Sequence, residues 1–353
     1  MSRIALEMSG QLNRAASMSV AGNMAHPLRD SFGRSHSSLR VSLTDRCNLR
    51  CGYCMEEEAT FLPAESLLKK KELLWVVSTL VDLGVKRVRL TGGEPLLRRD
   101  LDEIVFDLKS ISGIEELTLT TNGILLEKWA EKLKKSGLDR LTISLDTLDP
   151  AVFKRLTRRD ELGRVLAGVE AGISAGFQGT AINSVLLRGI NEREVGALIE
   201  FAHRRGMRPR FIESMPIGAG IYDRGSFVSA GELLDLIRDT LGDVAPVTNQ
   251  FKSATARLFQ VKSGLVGIIA SVSEPFCGSC DRLRLTADGK FKSCLFSMGE
   301  TDLLPIIRPE KGSWDRERLV QAVTQAVWHK AAGHEMHAEH FVKPARTMHS
   351  IGG

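Results

Sequence analysis

The sequence of 353 residues predicts an α/β protein: an open (β/α)6 partial TIM barrel over residues 39–216, a smaller C-terminal α+β domain over 217–340, and an arm over 341–353. Three observations predict it. Six short runs of strand character alternate with stretches of helical apolar spacing. The chemically distinctive residues fall at or just after the C-terminal ends of those runs, the rim that carries the chemistry in barrel folds. After Pro216 the alternation stops.

The strand runs are Leu39–Thr44, Arg87–Thr91, Glu116–Thr121, Arg140–Leu145, Thr180–Leu187 and Arg208–Ser214. Helical spacing lies between them. Leu73, Leu74, Val77, Leu80 and Val81 recur before Gly84, which reads as a C-cap. Leu125, Trp129 and Leu133 recur before Gly137, and Val195, Leu198, Ile199 and Ala202 before Gly206. Strands joined by crossover helices pair in parallel. Beyond Pro216, Gly218, Gly220 and Gly225 mark a long loop, followed by a helix near Ser229–Leu241 and an antiparallel section through Cys294. A last helix, Trp314–Lys330, shows Leu319, Val320, Val323, Ala326 and Val327 on one face. This second unit is expected to lie across the barrel mouth.

Composition excludes several classes. The chain is 43% hydrophobic and 26% charged, the make-up of a soluble globular protein. No apolar run approaches the 18 or so residues of a membrane span. A net charge of +5 suits an anionic substrate and is too mild to argue for nucleic acid. Residues 1–38 hold only Glu7 and Asp30 as acids and read as a disordered leader of a cytoplasmic bacterial protein. The alternative is a transit peptide to the mitochondrial matrix.

Cys47, Cys51 and Cys54 form C-x3-C-x2-C. Three thiolates on one loop can hold three irons of a [4Fe-4S] cube, which normally takes four cysteines, so the fourth iron is left open to a small molecule. A disulfide framework does not suit a chain of this length with six cysteines and no signal peptide. Zinc could use Cys51, Cys54, Cys277 and Cys280, leaving Cys47 and Cys294 unexplained. Thiolates so arranged call for a reducing compartment.

The second set, Cys277, Cys280 and Cys294, repeats the logic as C-x2-C-x13-C. On the strand that follows, Arg282 and Arg284 project to one face and Leu283 and Leu285 to the other. Two guanidiniums beside a cluster suggest an anionic ligand. A zinc knuckle with a solvated basic edge strand is the alternative.

Tyr53 before the last cysteine of the first set, with Thr91-Gly92-Gly93-Glu94-Pro95, completes a resemblance to the radical S-adenosylmethionine (SAM) superfamily. The second cysteine set, Arg282-Leu283-Arg284 and the terminal Ile351-Gly352-Gly353 narrow it. So do the segments Arg40–Cys47, Arg89–Pro95, Thr120–Gly123, Ser144–Asp146 and Phe211–Met215. From about Leu39 to Gly353 the chain resembles the GTP 3′,8-cyclase family, which opens molybdenum cofactor biosynthesis.

The resemblance implies a lyase with two [4Fe-4S] clusters and SAM. A 5′-deoxyadenosyl radical takes hydrogen from C3′ of GTP, C3′ attacks C8, and 3′,8-cyclo-7,8-dihydro-GTP results. It assigns Cys47, Cys51 and Cys54 to the SAM cluster and Cys277, Cys280 and Cys294 to the cluster that binds guanine. It assigns Tyr53, Gly93, Ser144 and Met215 to SAM, and Arg40, Arg89, Thr120, Arg282, Leu283 and Arg284 to GTP. Arg282, Arg284, Gly352 and Gly353 are its catalytic group. Its implied partners are a flavodoxin- or ferredoxin-type electron donor, cyclic pyranopterin monophosphate synthase as the next enzyme, and a second copy in a homodimer.

Plainer readings stand beside these. Gly92 and Gly93 suit a tight turn, Met215 a core gap, and Gly352-Gly353 a frayed end. Arg40 or Arg89 could pair with Glu94 or Asp146. Ala181 stands where the family usually has Lys; Arg210 or Arg188 could supply that charge, and Arg87 keeps the charge where Lys is common. His334, His337 and His340, three apart, read as a solvated connector rather than a metal site. Rival functions are another radical SAM enzyme with an auxiliary cluster, such as a peptide-modifying maturase, and a non-catalytic metal-binding or redox-sensing protein.

Overall fold

The structure, a computed structural model, describes residues 27–217, 224–248, 253–334, 336 and 341–352. Six strands follow one another in parallel: β1 (Ser38–Ser42), β2 (Arg87–Thr91), β3 (Glu116–Thr121), β4 (Arg140–Ser144), β5 (Ala181–Leu186) and β6 (Arg208–Glu213). Each matches its expected run to within two residues. Alternate residues face opposite sides. Leu39, Val41, Val88, Leu90, Leu117, Leu119, Leu141 and Ile143 enter the core. Arg40, Arg89, Thr120, Ser144, Asn183 and Arg210 instead line a cavity on the inner face.

The outer layer is helical: α1 (Lys70–Asp82), α2 (Leu101–Lys109), α3 (Leu126–Lys135), α4 (Pro150–Thr157), α5 (Leu162–Ser174) and α6 (Val195–Arg204). In α1 the expected stripe is buried at Leu73, Val77, Leu80 and Val81, with Val76 buried beside them and Leu74 only half-buried, and Gly84 follows at φ +100. α4 starts on Asp149, whose carboxylate accepts from the amides of Ala151 and Val152 ahead of Pro150 at the first turn. α7 (Ala230–Leu241) opens on a reciprocal cap, Ser229 accepting from the Glu232 amide and Glu232 from the Ser229 amide.

The C-terminal half contributes to the wall of that cavity through Phe276, Arg282, Phe296 and His334, and strand pairing ties it to the barrel. This half extends the barrel sheet at both edges. β7 (Ala245–Val247), β8 (Arg257–Val261) and β9 (Gly264–Ile269) add antiparallel strands beyond β6, with β9 parallel to β6. β10 (Arg282–Leu285), β11 (Lys290–Lys292) and β12 (Thr301–Asp302) do the same beyond β1, with β10 parallel to β1. The twelve strands run β12-β11-β10-β1-β2-β3-β4-β5-β6-β9-β8-β7. The physical reason is the open barrel's two edges, whose unpaired amides and carbonyls need partners. After the short α8 (Leu304–Ile307), α9 (Arg316–Trp328) buries Leu319, Val323 and Val327 in the same core as β1 to β4.

Residues 27–38, counted with the leader above, are folded. Leu28, Asp30 and His36 are buried, and the Leu28 amide donates to the Leu83 carbonyl. Asp30 accepts from Arg34 Nε at 2.6 Å and meets His36 Nε2 at 2.9 Å. Burial and the nearby Lys330 ammonium push the His36 imidazole down to about 4. The unfolded chain would protonate this residue near 6.5. Between those values the unfolded state binds the extra proton, so stability is lost as pH falls from about 6.5 to about 4. His36→Gln should flatten that part of the unfolding free energy curve, read by urea denaturation at successive pH values. A slope equal to that of the unsubstituted chain would contradict it.

Candidate functional site

The inner face of the barrel closes around a cavity of about 320 Å³ that both cysteine sets line. Cys47, Cys51 and Cys54 sit on the loop after β1, Cys277 and Cys280 on the turn before β10, and Cys294 just beyond β11. Because β10 pairs directly with β1, sites far apart in sequence open onto one space. All six cysteines are free.

The first loop is held at its backbone. The Cys54 amide donates to the Cys51 carbonyl at 2.9 Å, and Arg50 reaches the Cys47 carbonyl at 2.7 Å. Burial, then neighbouring negative groups, pushes the Cys47 thiol up to about 11 and Cys54 to about 12, and raises Cys51 well above its usual value. Three half-buried thiols that repel one another as thiolates form a donor set that wants cations between them. Among the described residues no three His, Cys, Asp or Glu side chains converge on a point, as a single ion requires. Three thiols that each take a different iron need no such point. The residues present fit a [4Fe-4S] cube with one open iron.

Gly92 and Gly93 follow β2 under this loop. A Cβ on Gly93 would lie 2.3 Å from the Arg46 carbonyl oxygen, and one on Gly92, at φ +146, 2.3 Å from that of Thr44. Close approach to the cysteine loop's own backbone thus accounts for both glycines, and both also line the cavity. Glu94 is wholly buried and accepts from Thr121 Oγ1 and the amides of Asn122 and Leu96. Burial raises its carboxyl to about 7. Tyr53 donates to Asp146 Oδ2 at 2.6 Å and ties the cysteine loop to the end of β4. Burial lifts Asp146 to about 6. Ser144 and Met215 line the cavity, as does Thr120.

Five arginines line the same space: Arg40, Arg89, Arg210, Arg282 and Arg284. The sheet register sets Arg40 directly opposite Arg89 on one side and Arg284 on the other. Among the described residues none of the five forms a salt bridge, so pairing of Arg40 or Arg89 with Glu94 or Asp146 does not occur. Arg89 donates to the hydroxyls of Thr120 and Thr142, Arg282 to the Ser253 carbonyl, and Arg284 to the Gly352 carbonyl at 2.5 Å. Burial, followed by the neighbouring guanidiniums, lowers Arg89 to about 9 and Arg210 to about 10, and Arg40 well below its usual value. A guanidinium keeps its proton in proteins, so these depressed values reflect the cost of burying charge beside like charge, which an anion would offset.

Two expectations change here. Leu283 is wholly buried in the core on the strand face opposite Arg282 and Arg284, so its side chain is out of a ligand's reach. Arg188 pairs with Glu232 on the exposed surface, leaving Arg210 as the charge that faces the cavity near Ala181. Sequence reading passed over Thr142, Asn183 and Ser271. Asn183 Oδ1, Arg210 Nε and Ser271 Oγ are buried with no hydrogen-bond partner among the described residues. Buried polar atoms rarely go unsatisfied. For Thr142 and Asn183 the available signal was a polar residue at an inward position of a strand, whereas Ser271 lies beyond β9 and carried no such signal.

The C-terminal arm enters the site. Arg346 bridges Asp288 and Glu300, each at 2.8 Å, and the short helix α10 (Met348–Ile351) follows. Met348 and His349 line the cavity, and the His349 ring stands edge-on to Phe61 at 5.9 Å. Gly352 is buried at φ +83, where a Cβ would lie 3.0 Å from Thr91 Cγ2. A frayed end does not describe Gly352. Gly353, His337 and His340 lie outside the described residues. His334 lines the cavity, with Nε2 2.9 Å from the Ser271 carbonyl.

An open parallel barrel with three cysteines on the loop after its first strand defines a radical SAM enzyme. Residues 41–202 match the family model of the Radical SAM superfamily, and residues 207–336 match Molybdenum Cofactor Synthesis C. A GTP 3′,8-cyclase of Rhodopirellula baltica is 43% identical over 96% of this chain and 97% of its own length. One from Corynebacterium glutamicum is 43% identical over 92% and 89%. The chain belongs to the GTP 3′,8-cyclase family. Among solved structures, Streptococcus suis SuiB bound to S-adenosylmethionine aligns with a TM-score of 0.55 at 16% identity, covering 83% of this chain and 71% of that one. At that identity the likeness shows the fold alone.

Membership implies SAM and a [4Fe-4S] cluster. Replacing Cys47, Cys51 or Cys54 with Ala should remove about four irons per chain and abolish SAM cleavage, measured by iron analysis and 5′-deoxyadenosine release. Retained cleavage in any of the three would sink the assignment of this loop.

Proposed function

We propose that this chain is a lyase converting GTP to 3′,8-cyclo-7,8-dihydro-GTP, the first step of molybdenum cofactor biosynthesis. One observation carries it. Both three-cysteine sets and five arginines that form no salt bridge among the described residues line a single cavity. A triphosphate is the anion that such a field suits.

Cys47, Cys51 and Cys54 would hold the cluster to which SAM binds, and together these supply the radical chemistry at C3′ of GTP. Tyr53, Gly93, Ser144 and Met215 are the chain's face toward SAM. Arg40, Arg89, Thr120 and Arg210 hold the phosphates, with Arg210 answering for the charge that Ala181 lacks. Arg282 and Arg284 fix the nucleotide beside Cys277, Cys280 and Cys294, which we read as ligands of a second [4Fe-4S] cluster facing the guanine ring. The protein's work is to position and to supply charge, while the hard chemistry belongs to the cofactors. The Gly352 carbonyl, held by Arg284, brings backbone where a side chain would not fit. A cytoplasmic enzyme, a flavodoxin- or ferredoxin-type electron donor, cyclic pyranopterin monophosphate synthase downstream and a homodimer complete this reading.

Turnover of the anaerobically reconstituted chain with GTP and SAM tests it directly, and absence of the cyclised nucleotide would refute it. A charge-assisted hydrogen bond is worth roughly 1.5–3 kcal/mol, and about 1.4 kcal/mol is tenfold in affinity. Arg282→Ala and Arg284→Ala should therefore each weaken GTP binding about ten- to hundredfold while sparing SAM. Equal loss of both ligands would count against the assignment.

Removing Gly352 and Gly353 should leave SAM binding and iron content intact and stop formation of the cyclised product. Wild-type product formation by the truncated chain would return the tail to a passive role.

A further inference from the structure

The segment before β1 and the residues just after α9 meet at the second cysteine set, and the reaction as described uses neither. Lys330 is 3% exposed, and lysines are almost never buried so fully without a partner. Its Nζ donates to Cys280 Sγ at 3.4 Å and to the Arg282 carbonyl at 2.9 Å. The same ammonium meets His36 Nδ1 at 3.5 Å, and His36 Nε2 lies 2.9 Å from Asp30 Oδ2. Asp30 also holds Arg34, whose guanidinium donates to the carbonyls of Cys277 at 2.8 Å, Ala332 at 2.7 Å and Ala331 at 2.6 Å. One continuous set of hydrogen bonds therefore grips both cysteines of the C-x2-C turn, Cys280 by its sulfur and Cys277 by its backbone.

Among the described residues no carboxylate forms a salt bridge with Lys330. Asp30 reaches it only through the imidazole, so the group placed to answer its charge directly is the sulfur of Cys280. Hydrogen bonds to ligand sulfurs and local net charge are what set a cluster's potential. Partners behind the ligands fix their orientation. Reduction adds a negative charge to a cluster, and a fixed cation in a low-dielectric interior favours that reduced state.

We infer that Lys330 is a positioning residue for the second cysteine set: it holds Cys280 as a thiolate and raises the reduction potential of the cluster bound there, with Asp30, His36 and Arg34 holding it in place. The inference rests on the reading of Cys277, Cys280 and Cys294 as cluster ligands. It also gives the folded part of the N-terminal segment a task, as a brace for that cluster.

The test uses the full chain with Cys47, Cys51 and Cys54 all replaced by Ala, so that only the second set loads. Lys330→Met, Lys330→Gln and Lys330→Arg are compared with this parent by iron content and by redox titration followed by electron paramagnetic resonance. The expected result is about four irons in each. The midpoint should fall in the two neutral variants by at least a tenfold change in the reduction equilibrium, about 59 mV, while Lys330→Arg stays within about threefold of the parent. Iron lost from both neutral variants but kept by Lys330→Arg would support the same role through binding. Full iron with an unmoved midpoint overturns it, as does an equal fall in Lys330→Arg or iron lost from all three. A parent that takes zinc or no iron would sink the cluster reading and this role together; four irons and no shift would sink this role alone.

Discussion

Like charge in one rung of a parallel sheet is the constraint around which this molecule is built. β1 places Arg40 opposite Arg89 on β2 and Arg284 on β10. Neighbouring strands lie about 4.8 Å apart, and like charges set directly opposite are destabilising. Threonine hydroxyls and a backbone carbonyl satisfy the geometry of Arg89 and Arg284 without cancelling their charge. The fold carries this cost at one place, and there it has the means to hold an anion.

Pairing at the barrel's edges turns that charge into a site. Were β10 not paired with β1, the second cysteine set and its two arginines would belong to a separate body. Parallel pairing fixes them to the barrel, rung by rung, from Ser38 with Arg282 to Val41 with Leu285. The opposite edge uses the same device through β9, which carries Ile269 to the cavity wall. Backbone hydrogen bonding, not side-chain packing, thus sets the distance between the two cysteine sets. Packing then locks it, since α9 shares its core with the barrel strands.

Carboxylates in the site have been given other work. Glu94 is occupied by two amides and a hydroxyl, and Asp146 by Tyr53 and the Val185 amide. Each fastens a loop that carries site residues and neither neutralises an arginine. Tyr53 through Asp146 joins the first cysteine loop to the far side of the barrel, and Glu94 joins the turn after β2 to the end of β3. Rigid loops around unspent positive charge are the preorganisation that a radical reaction on a nucleotide needs.

The sequence by itself determined the six barrel strands, because an apolar outer face and a polar inner face write residues that alternate with period 2, with helical crossovers of period 3.6 between them. It also determined the cysteine spacing, since ligands on one loop are a local property. Arg282 and Arg284 were legible as a pair for the same reason, and Leu283 was legible as facing away from them. What only the tertiary structure decided are relations between distant residues: that β9 and β10 join the barrel edges, that Arg40, Arg89 and Arg284 share a rung, and that residues 27–38 pack beside the second cysteine set. Asn183 became a site residue only once its strand neighbours were known, and only the structure chose Arg210 over Arg188. Strand pairing is chosen by hydrogen bonds that every residue except proline can make, so side-chain pattern records which face a residue takes but not which strand lies beside it.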